Sequence, residues 1–457
     1  MTKKYDAVII GFGKGGKTLA AYLAAQGKNV AIAEQSDKMY GGTCINVGCI
    51  PTKSLVDSAR RAAVKGFASF PEKAAFYRAA VAEKTRLVEM LRAKNYHMLA
   101  DLPNVTVYNG QAGFVDAHEV RIQQPMGSEV IYGERIFINT GSVPVLPKIA
   151  GIQESRHVYL SETMLALAEL PEQLTIIGGG YIGLEFASMY AQFGSAVTVL
   201  QHSQAFIPRE DDDVAAAVQE ELTRRGVRFV FGAEIERVVD EADRTVVHYS
   251  LAGQGQRQLA DAVLVATGRR PNTEGLQPEA AGIELLPQGG IRTDAQRRTN
   301  VPHIWAMGDV AGGLQFTYVS LDDFRIVRAA LTGGSYRDEG RNIPYSVFIT
   351  PSLSRVGLTE KEAKKQGFDA VSAVLPAAAI PKAHVLKEPY GMLKATVDRQ
   401  TKQILGASLF CEESYELINL VKLAMDAHLP YTVLRDQMFT HPTMSEALND
   451  LFGKIIL

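Results

Sequence analysis

The chain has 457 residues, 46% of them hydrophobic and 21% charged, with a formal net charge of −2. That length allows two to four domains with sizeable cores, and the near-neutral charge argues against nucleic acid or an acidic membrane surface as partner. No apolar run approaches the roughly 20 residues of a membrane span.

The chain opens with Lys3-Lys4-Tyr5 and then Asp6 to Ile10, too short and too quickly glycine-rich for a signal peptide. It reads as a first strand. Three cysteines without an export signal lead us to expect a cytoplasmic protein, where a cysteine pair is more often catalytic than structural. Gly11-Phe12-Gly13-Lys14-Gly15-Gly16 follows, then a predicted helix over 17–26 and a strand over 29–33 that ends at Glu34. Strand, G-x-G-x-x-G, helix, strand and acidic residue is the dinucleotide-binding order. Gly11, Gly13 and Gly16 allow pyrophosphate to approach a helix N-terminus, and Glu34 can accept a bond from the adenosine ribose.

Next comes Gly41-Gly42-Thr43-Cys44-Ile45-Asn46-Val47-Gly48-Cys49-Ile50-Pro51-Thr52-Lys53, with two of the three cysteines. In a regular helix residues five apart lie too far apart for a disulfide. A bridge from Cys44 to Cys49 therefore requires a distorted segment, and Gly48 supplies the freedom. Pro51 fits the first turn of a helix, which places Cys49 near its N-terminus, where the dipole favours thiolate. Lys53 lies four residues on and can face the same neighbour. A redox-active pair is the reading; a zinc half-site or two structural cysteines is the alternative, and no second Cys/His pair of usual spacing supports zinc.

The dinucleotide unit recurs. Leu174 to Ile177 leads into Gly178-Gly179-Gly180-Tyr181-Ile182-Gly183, a predicted helix over 184–193 and a strand over 196–200. Gly16 to Glu34 is eighteen positions, and so is Gly183 to Gln201, so Gln201 takes the place of the acidic ribose ligand. The missing carboxylate removes the usual repulsion of a 2′-phosphate and admits NADPH, yet no Arg adjoins it, so NADH and NADPH both stay open. Two such folds and a cysteine pair imply hydride transfer from nicotinamide to flavin, then electrons to the disulfide. The first fold should hold FAD, because the cysteine motif follows it. Apolar strands ending in Asn139-Thr140-Gly141 and Thr267-Gly268-Arg269 fit crossings between nucleotide domains, and Ile304 to Asp309 reads as a strand whose Gly308-Asp309 end can meet the ribityl hydroxyls. We count Gly42, Thr43, Lys53, Thr140, Gly141, Gly178, Gly180, Tyr181, Gly183, Gln201, Gly268, Gly308 and Asp309 as expected cofactor contacts beside Gly11, Gly13, Gly16 and Glu34.

From Ile343 onward the pattern changes to strands over 346–348, 392–397 and 404–409 and helices over 359–366 and 415–427, an α+β unit suited to dimerisation. Near its end, Phe439-Thr440-His441-Pro442-Thr443-Met444-Ser445-Glu446 predicts a His just before a Pro-led helix with Glu446 one turn along. A His oriented by a carboxylate is the usual proton shuttle in thiol–disulfide exchange.

These motifs, in this order and over nearly the whole chain, resemble the flavoprotein disulfide reductases. The resemblance implies an α/β fold with two Rossmann-like domains, FAD-binding over 1–150 and 262–335 and NAD(P)-binding over 151–261, and an α+β dimerisation domain over 342–457. It implies that Cys49 is the charge-transfer thiol beside the flavin and Cys44 the interchange thiol that meets substrate. Lys53 would lie near flavin N5 with Glu185 as its partner, and Tyr181 would gate the nicotinamide pocket. His441 and Glu446 would be the acid–base pair, reached from the other subunit of a homodimer. Stretches such as Phe206-Ile207-Pro208-Arg209-Glu210-Asp211 and Gly313-Leu314-Gln315-Phe316-Thr317-Tyr318 are similar to the reactive-chlorine-resistance branch of the family, which implies NAD(P)H-driven reduction of copper(II). On that reading Cys44 and Cys49 would hold copper transiently, since soft thiolates favour Cu(I). Reduction of a small disulfide, in the manner of dihydrolipoamide dehydrogenase, needs the same cysteines and is the alternative; a flavin redox sensor without turnover is a third. Cys411 reads as a core or edge residue, Asp211-Asp212-Asp213 as a charge run at a helix start, and Met307 and Met444 as packing residues.

Overall fold

The computed structural model describes residues 2–457. β1 (Lys3–Ile10) leads into α1 (Lys14–Ala25) and β2 (Val30–Glu34), and then come α2 (Gly42–Asn46), α3 (Cys49–Lys65) and the long α4 (Phe70–Ala100). With β3 (Val105–Asn109), β4 (Gln111–Phe114), β5 (Glu119–Gln124) and β6 (Gly127–Ile138) the strands form a sheet in the order β3-β2-β1-β6-β5-β4. β3, β2, β1 and β6 are parallel and the β6-β5-β4 edge is antiparallel. The run Ala7 to Ile10 is buried throughout, as a parallel strand covered on both faces must be.

β7 (Ser142–Pro144) leaves this sheet, and the second sheet follows with β8 (Val158–Leu160), α5 (Ser161–Met164), β9 (Gln173–Ile177), α6 (Tyr181–Phe193), β10 (Ala196–Gln201), α7 (Asp212–Arg224) and β11 (Val227–Phe231). An antiparallel meander, β12 (Glu234–Glu241), β13 (Arg244–Leu251) and β14 (Gln254–Ala260), precedes β15 (Ala262–Val265), giving a parallel order β11-β10-β9-β15-β8. β16 (Arg269–Pro271) pairs with β7 to bring the chain back, and β17 (Ile304–Ala306) joins the first sheet beside β6 before α8 (Thr317–Leu331).

The third sheet is antiparallel, with β18 (Tyr345–Val347), β19 (Leu353–Gly357), β20 (Ala370–Pro376), β21 (Met392–Asp398) and β22 (Ile404–Phe410) ordered β18-β19-β22-β21-β20. Around it lie α9 (Glu360–Lys365), α10 (Pro381–Val385), α11 (Ser414–Asp426), α12 (Thr432–Asp436) and α13 (Ala447–Gly453).

The two nucleotide-type turns are built alike. Gly11 has φ +104° and a Cβ there would lie 2.3 Å from the Asn139 carbonyl; Gly178 has φ +107° and would lie 2.5 Å from that of Ala266. Only glycine satisfies both the left-handed backbone and the close approach. Each helix then starts earlier than predicted, at Lys14 and Tyr181, because the glycine turn runs straight into it.

One core cluster decides where the cysteines sit. It packs Leu55 and Ala59 of α3 and Tyr77 of α4 against Phe186, Tyr190 and Phe193 of α6, and continues to Val347 and Phe410 of the third sheet. Burying the Leu, Val and Phe side chains among them contributes about 1.5–3 kcal/mol each relative to exposure. Tyr77 and Tyr190 bond through their hydroxyls at 2.7 Å. The helix that begins at Cys49 is thereby clamped to the helix that begins at Tyr181.

Elsewhere the predicted elements of the last third hold to within a residue or so, but β19 and β20 were not anticipated. β19 carries Ser354 and Arg355 among its buried residues, which masks the apolar signal of an interior strand. One local expectation fails: Pro442 does not lead a helix. His441-Pro442 is a cis peptide and α13 begins only at Ala447, with Thr443 and Glu446 exchanging bonds across the intervening turn.

Candidate active site

Where the sheets meet, a cavity of about 1350 Å³ runs from Gly11, Gly13 and Glu34 past Gly42, Thr43 and Cys44 to Cys49, Lys53, Tyr181 and Glu185, with Thr140, Gly141 and Asp309 on its wall. Its first end is made of backbone. A Cβ on Gly42 would lie 2.8 Å from the Cα of Gly13, so the two glycine turns abut. α1 starts behind Gly13 with no side-chain cap, leaving donors of the kind that bind pyrophosphate. Gly16 N–H is taken by Asn139 Oδ1 at 2.9 Å, which holds the turn against the strand end.

Glu34 is buried at the tip of β2, where its carboxylate accepts from Phe12 N at 3.1 Å and Ser36 N at 3.3 Å. Burial raises its pKa to about 6 against those bonds. Asp309 sits across the cavity in the turn after β17, accepting from Ser142 Oγ at 2.6 Å, and burial pushes its carboxyl up as well. Gly308 N–H donates to Asp323 at 2.8 Å, and Thr140 Oγ1 donates to the Asn272 carbonyl at 2.6 Å. A glycine cradle at a helix N-terminus, with buried Glu34 and half-buried Asp309 both lining the cavity, fits an FAD molecule laid along it.

The thiols lie at the other end. Gly48, with φ −131° and ψ −113°, breaks the path between α2 and α3, so Cys44 and Cys49 are brought together although no regular helix could do it. Both are free thiols in this structure. Cys49 opens a helix of 17 residues and its Sγ lies 3.5 Å from Thr317 Oγ1. Its pKa falls to about 6, chiefly through the hydrogen bond from Cys44, with Thr317 and the Lys53 charge adding to it and burial and Glu185 opposing. Cys44 goes the other way: donating that bond, its partial burial and facing the Cys49 charge all raise it. The two thiols are thus pushed in opposite directions, Cys49 toward thiolate and Cys44 toward thiol.

Lys53 Nζ donates to both carboxylate oxygens of Glu185, at 2.8 and 3.0 Å, and stands 4.5 Å over the Phe348 ring. Phe348 N–H donates to Glu185 Oε1 at 2.8 Å, so the third sheet fixes the carboxylate. In the second unit Gln201 Oε1 accepts from Gly179 N at 2.7 Å, the same bond that Glu34 makes in the first. Gly178, Gly180, Gly183 and Gln201 lie away from the cavity, at the tips of β9 and β10, and Gly268 packs beside β7. His441 Nδ1 meets Glu446 Oε2 at 2.8 Å as expected, but the imidazole is 71% exposed and is not among the residues lining the cavity that holds the cysteines.

The structure also adds residues that the sequence did not single out. Thr317 touches Cys49 although it comes from the first turn of α8, 268 positions away. Asn139 ties Gly16, the Met307 carbonyl and Ser320 together, with bonds of 2.9, 2.7 and 3.1 Å. An Asn at a strand tip before Thr-Gly was the only signal for it. Among the described residues no group of three or more His, Cys, Asp or Glu side chains is arranged to hold a metal, and no helix is long and apolar enough to cross a membrane.

Two family models cover the chain: pyridine nucleotide-disulphide oxidoreductase over residues 5–323, and the dimerisation domain of the same family over 343–452. The chain belongs to the pyridine nucleotide-disulphide oxidoreductases. Members are FAD-dependent flavoproteins that use NAD(P)H as the pyridine nucleotide substrate. The chain is 52% identical to "Probable pyridine nucleotide-disulfide oxidoreductase RclA" of Escherichia coli (strain K12), over 99% of both chains. It is 33% identical to a mercuric reductase of Staphylococcus aureus, over 97% of this chain and 81% of the relative. Among solved structures it matches the Cu(II) complex of the HOCl-induced flavoprotein disulfide reductase RclA from Escherichia coli, with a TM-score of 0.93, 50% identity and 99% of both chains covered.

Proposed function

We propose that this oxidoreductase takes two electrons from NADH or NADPH and delivers them through Cys49 and Cys44 to two copper(II) ions, each reduced to copper(I), as part of a defence against reactive chlorine. The supporting observation is the thiol pair in the cavity, with Cys49 opening α3 against Thr317 and Cys44 beside it. Likeness to the Escherichia coli protein, whose structure holds Cu(II) and which is HOCl-induced, supports the choice of acceptor. The boundaries expected from the sequence are proposed with it: 1–150 with 262–335 for FAD, 151–261 for NAD(P)H and 342–457 for a homodimer interface in the cytoplasm.

An FAD held there would supply two-electron transfer between a nicotinamide and a disulfide. Gly11, Gly13 and Gly16 with the α1 N-terminus would hold its pyrophosphate, Glu34 its ribose and Asp309 its ribityl chain. Lys53, anchored by Glu185, fixes a positive charge beside the Cys49 thiolate. Cys44 keeps its proton on the buried side until an acceptor engages it. Two soft sulfur ligands favour Cu(I) over Cu(II), so reduction of the metal at the pair is downhill in binding. Copper enters this reading as a substrate, not as a resident metal.

One observation favours a second reading, reduction of a small disulfide: the His441–Glu446 pair, already joined at 2.8 Å, is the proton shuttle such exchange needs. The pair would reach the thiols from the other subunit. The deciding experiment is anaerobic NAD(P)H oxidation by FAD-loaded protein with copper(II), lipoamide and oxidised glutathione supplied separately. Rapid turnover with copper that disappears in Cys44→Ala supports the metal reductase. Turnover only with a disulfide rejects it.

A further inference from the structure

The mouth of the second unit holds a buried carboxylate that no role above uses. Glu210, in the loop between β10 and α7, is fully buried. Its Oε1 accepts from Tyr181 OH at 2.6 Å and also from Tyr345 OH, and the two hydroxyls lie 3.1 Å apart. Its Oε2 has no hydrogen-bond partner among the described residues and faces Arg355 Nη1 at 3.9 Å. The Tyr181 and Tyr345 rings are 5.5 Å apart, and Tyr345 stacks at 9° on Phe316, the neighbour of the Thr317 that touches Cys49. Tyr181 begins α6 and lines the cavity, Tyr345 belongs to β18, and Glu210 comes from neither element.

We propose that Glu210 and Tyr345 are positioning residues that latch Tyr181, Glu210 accepting from both tyrosine hydroxyls, and that this latch sets how readily the Tyr181 ring yields to a nicotinamide. The inference rests on reading residues 173–201 as the pyridine nucleotide unit with Tyr181 at its mouth. A bond from a phenol to a buried carboxylate is stronger than one between neutral groups. Glu210 therefore holds the ring closed. Opening breaks that bond, and a buried charge left alone is strongly disfavoured. Tyr345 remains as donor when Tyr181 swings away, with Arg355 behind it, so the carboxylate is never stranded. One partner closes the latch and the other lets it open.

This division gives variants of opposite sign. Glu210→Gln weakens the acceptor and Tyr181→Phe removes the donor, so each should tighten binding of the oxidised dinucleotide about fivefold, the equivalent of about 1 kcal/mol. Tyr345→Phe keeps the stacked ring but makes Glu210 depend on Tyr181, so it should weaken binding by about the same factor. A side chain that only supported the fold would shift all three variants in one direction.

The test is calorimetric titration of the oxidised, FAD-loaded holoenzyme with NAD+ or NADP+, whichever the parent binds more tightly, and with the matching ADP-ribose, which lacks the nicotinamide and needs no ring movement. The proposal predicts opposite shifts for the dinucleotide and unchanged affinity for the ADP-ribose across all variants. Shifts of one sign, no shifts, or equal shifts for both ligands overturn it. Should Glu210→Gln fail to fold, the two single-hydroxyl deletions still carry the comparison. If the parent binds neither ligand, the nucleotide site itself is misassigned and the latch falls with it.

Discussion

Replacing Cys44 by Ala isolates what makes Cys49 acidic. The largest influence lowering the Cys49 pKa to about 6 is the hydrogen bond from Cys44; Thr317 and Lys53 come after it. A hydrogen bond to a charged acceptor is worth about 1.5–3 kcal/mol, and because Cys49 opens onto the cavity we take the lower end to allow for solvent screening. At about 1.4 kcal/mol per tenfold change in protonation, Cys44→Ala should raise the Cys49 pKa from about 6 to roughly 7. The assay is the pH dependence of iodoacetamide alkylation of reduced protein, with the label located on Cys49 by mass spectrometry. An unchanged or lowered midpoint would refute the reasoning, since it would mean that the helix N-terminus and Lys53 alone set the thiolate. The sign for stability follows. A thiol whose pKa is depressed in the folded state stabilises the fold fully above its unfolded value near 8.5–9, and that gain is lost as pH falls toward 6. Reduced parent protein should therefore gain stability over Cys49→Ser between pH 6 and 9, and the gain should shrink in Cys44→Ala.

The other expected outcomes rest on single contacts. His441→Ala should lower disulfide turnover by about 10²–10⁴ while sparing copper(II) reduction; equal losses with both acceptors would remove the distinction between them. Gln201→Glu should weaken NADPH binding about tenfold through repulsion of the 2′-phosphate while sparing NADH, read from KM for each nucleotide. Glu185→Gln should lower the Cys49 alkylation midpoint, because the carboxylate raises that thiol and partly neutralises Lys53. Tyr77→Phe removes bonds to Tyr190 OH and the Leu167 carbonyl from a buried site, and thermal unfolding should report a loss of about 1–3 kcal/mol.

Much of the fold was readable because the two nucleotide units announce themselves through glycine. Gly11 and Gly178 stand where a Cβ would strike a carbonyl of the neighbouring strand, so the sequence has no other choice there. Gln201 was legible by counting, and the structure puts it on the Gly179 amide as Glu34 is on that of Phe12. The cysteine segment was legible for the same reason, since only a break at Gly48 brings Cys44 to Cys49. What was hidden depends on contacts without periodicity. Thr317 and Phe348 reach the site from distant elements, and neither carries a pattern that distinguishes it from an ordinary helix or strand end. β19 was missed because its buried face includes Ser354 and Arg355, polar residues satisfied by Ser346, Ser414 and Glu362, partners that only the folded chain supplies. The turn after His441 was misread because a proline near a helix start is usually inside it, whereas here it precedes the helix by five positions.

The charges around Cys49 tie the third sheet to the thiol chemistry of the first two. Lys53 lowers the Cys49 pKa and Glu185 raises it, and the two are bonded to each other. A free Lys53 would make the thiolate more stable and a poorer electron donor; a free Glu185 would suppress the thiolate. The balance depends on where Glu185 is held, and the backbone N–H of Phe348 holds it while the Phe348 ring shares the Lys53 charge. Phe348 follows directly on Tyr345 to Val347, the same strand that supplies the second donor to Glu210. One short strand of the dimerisation domain thus sets both the acidity of the thiol and the freedom of Tyr181. Any change that shifts β18, including contact with a second subunit, should move both properties together.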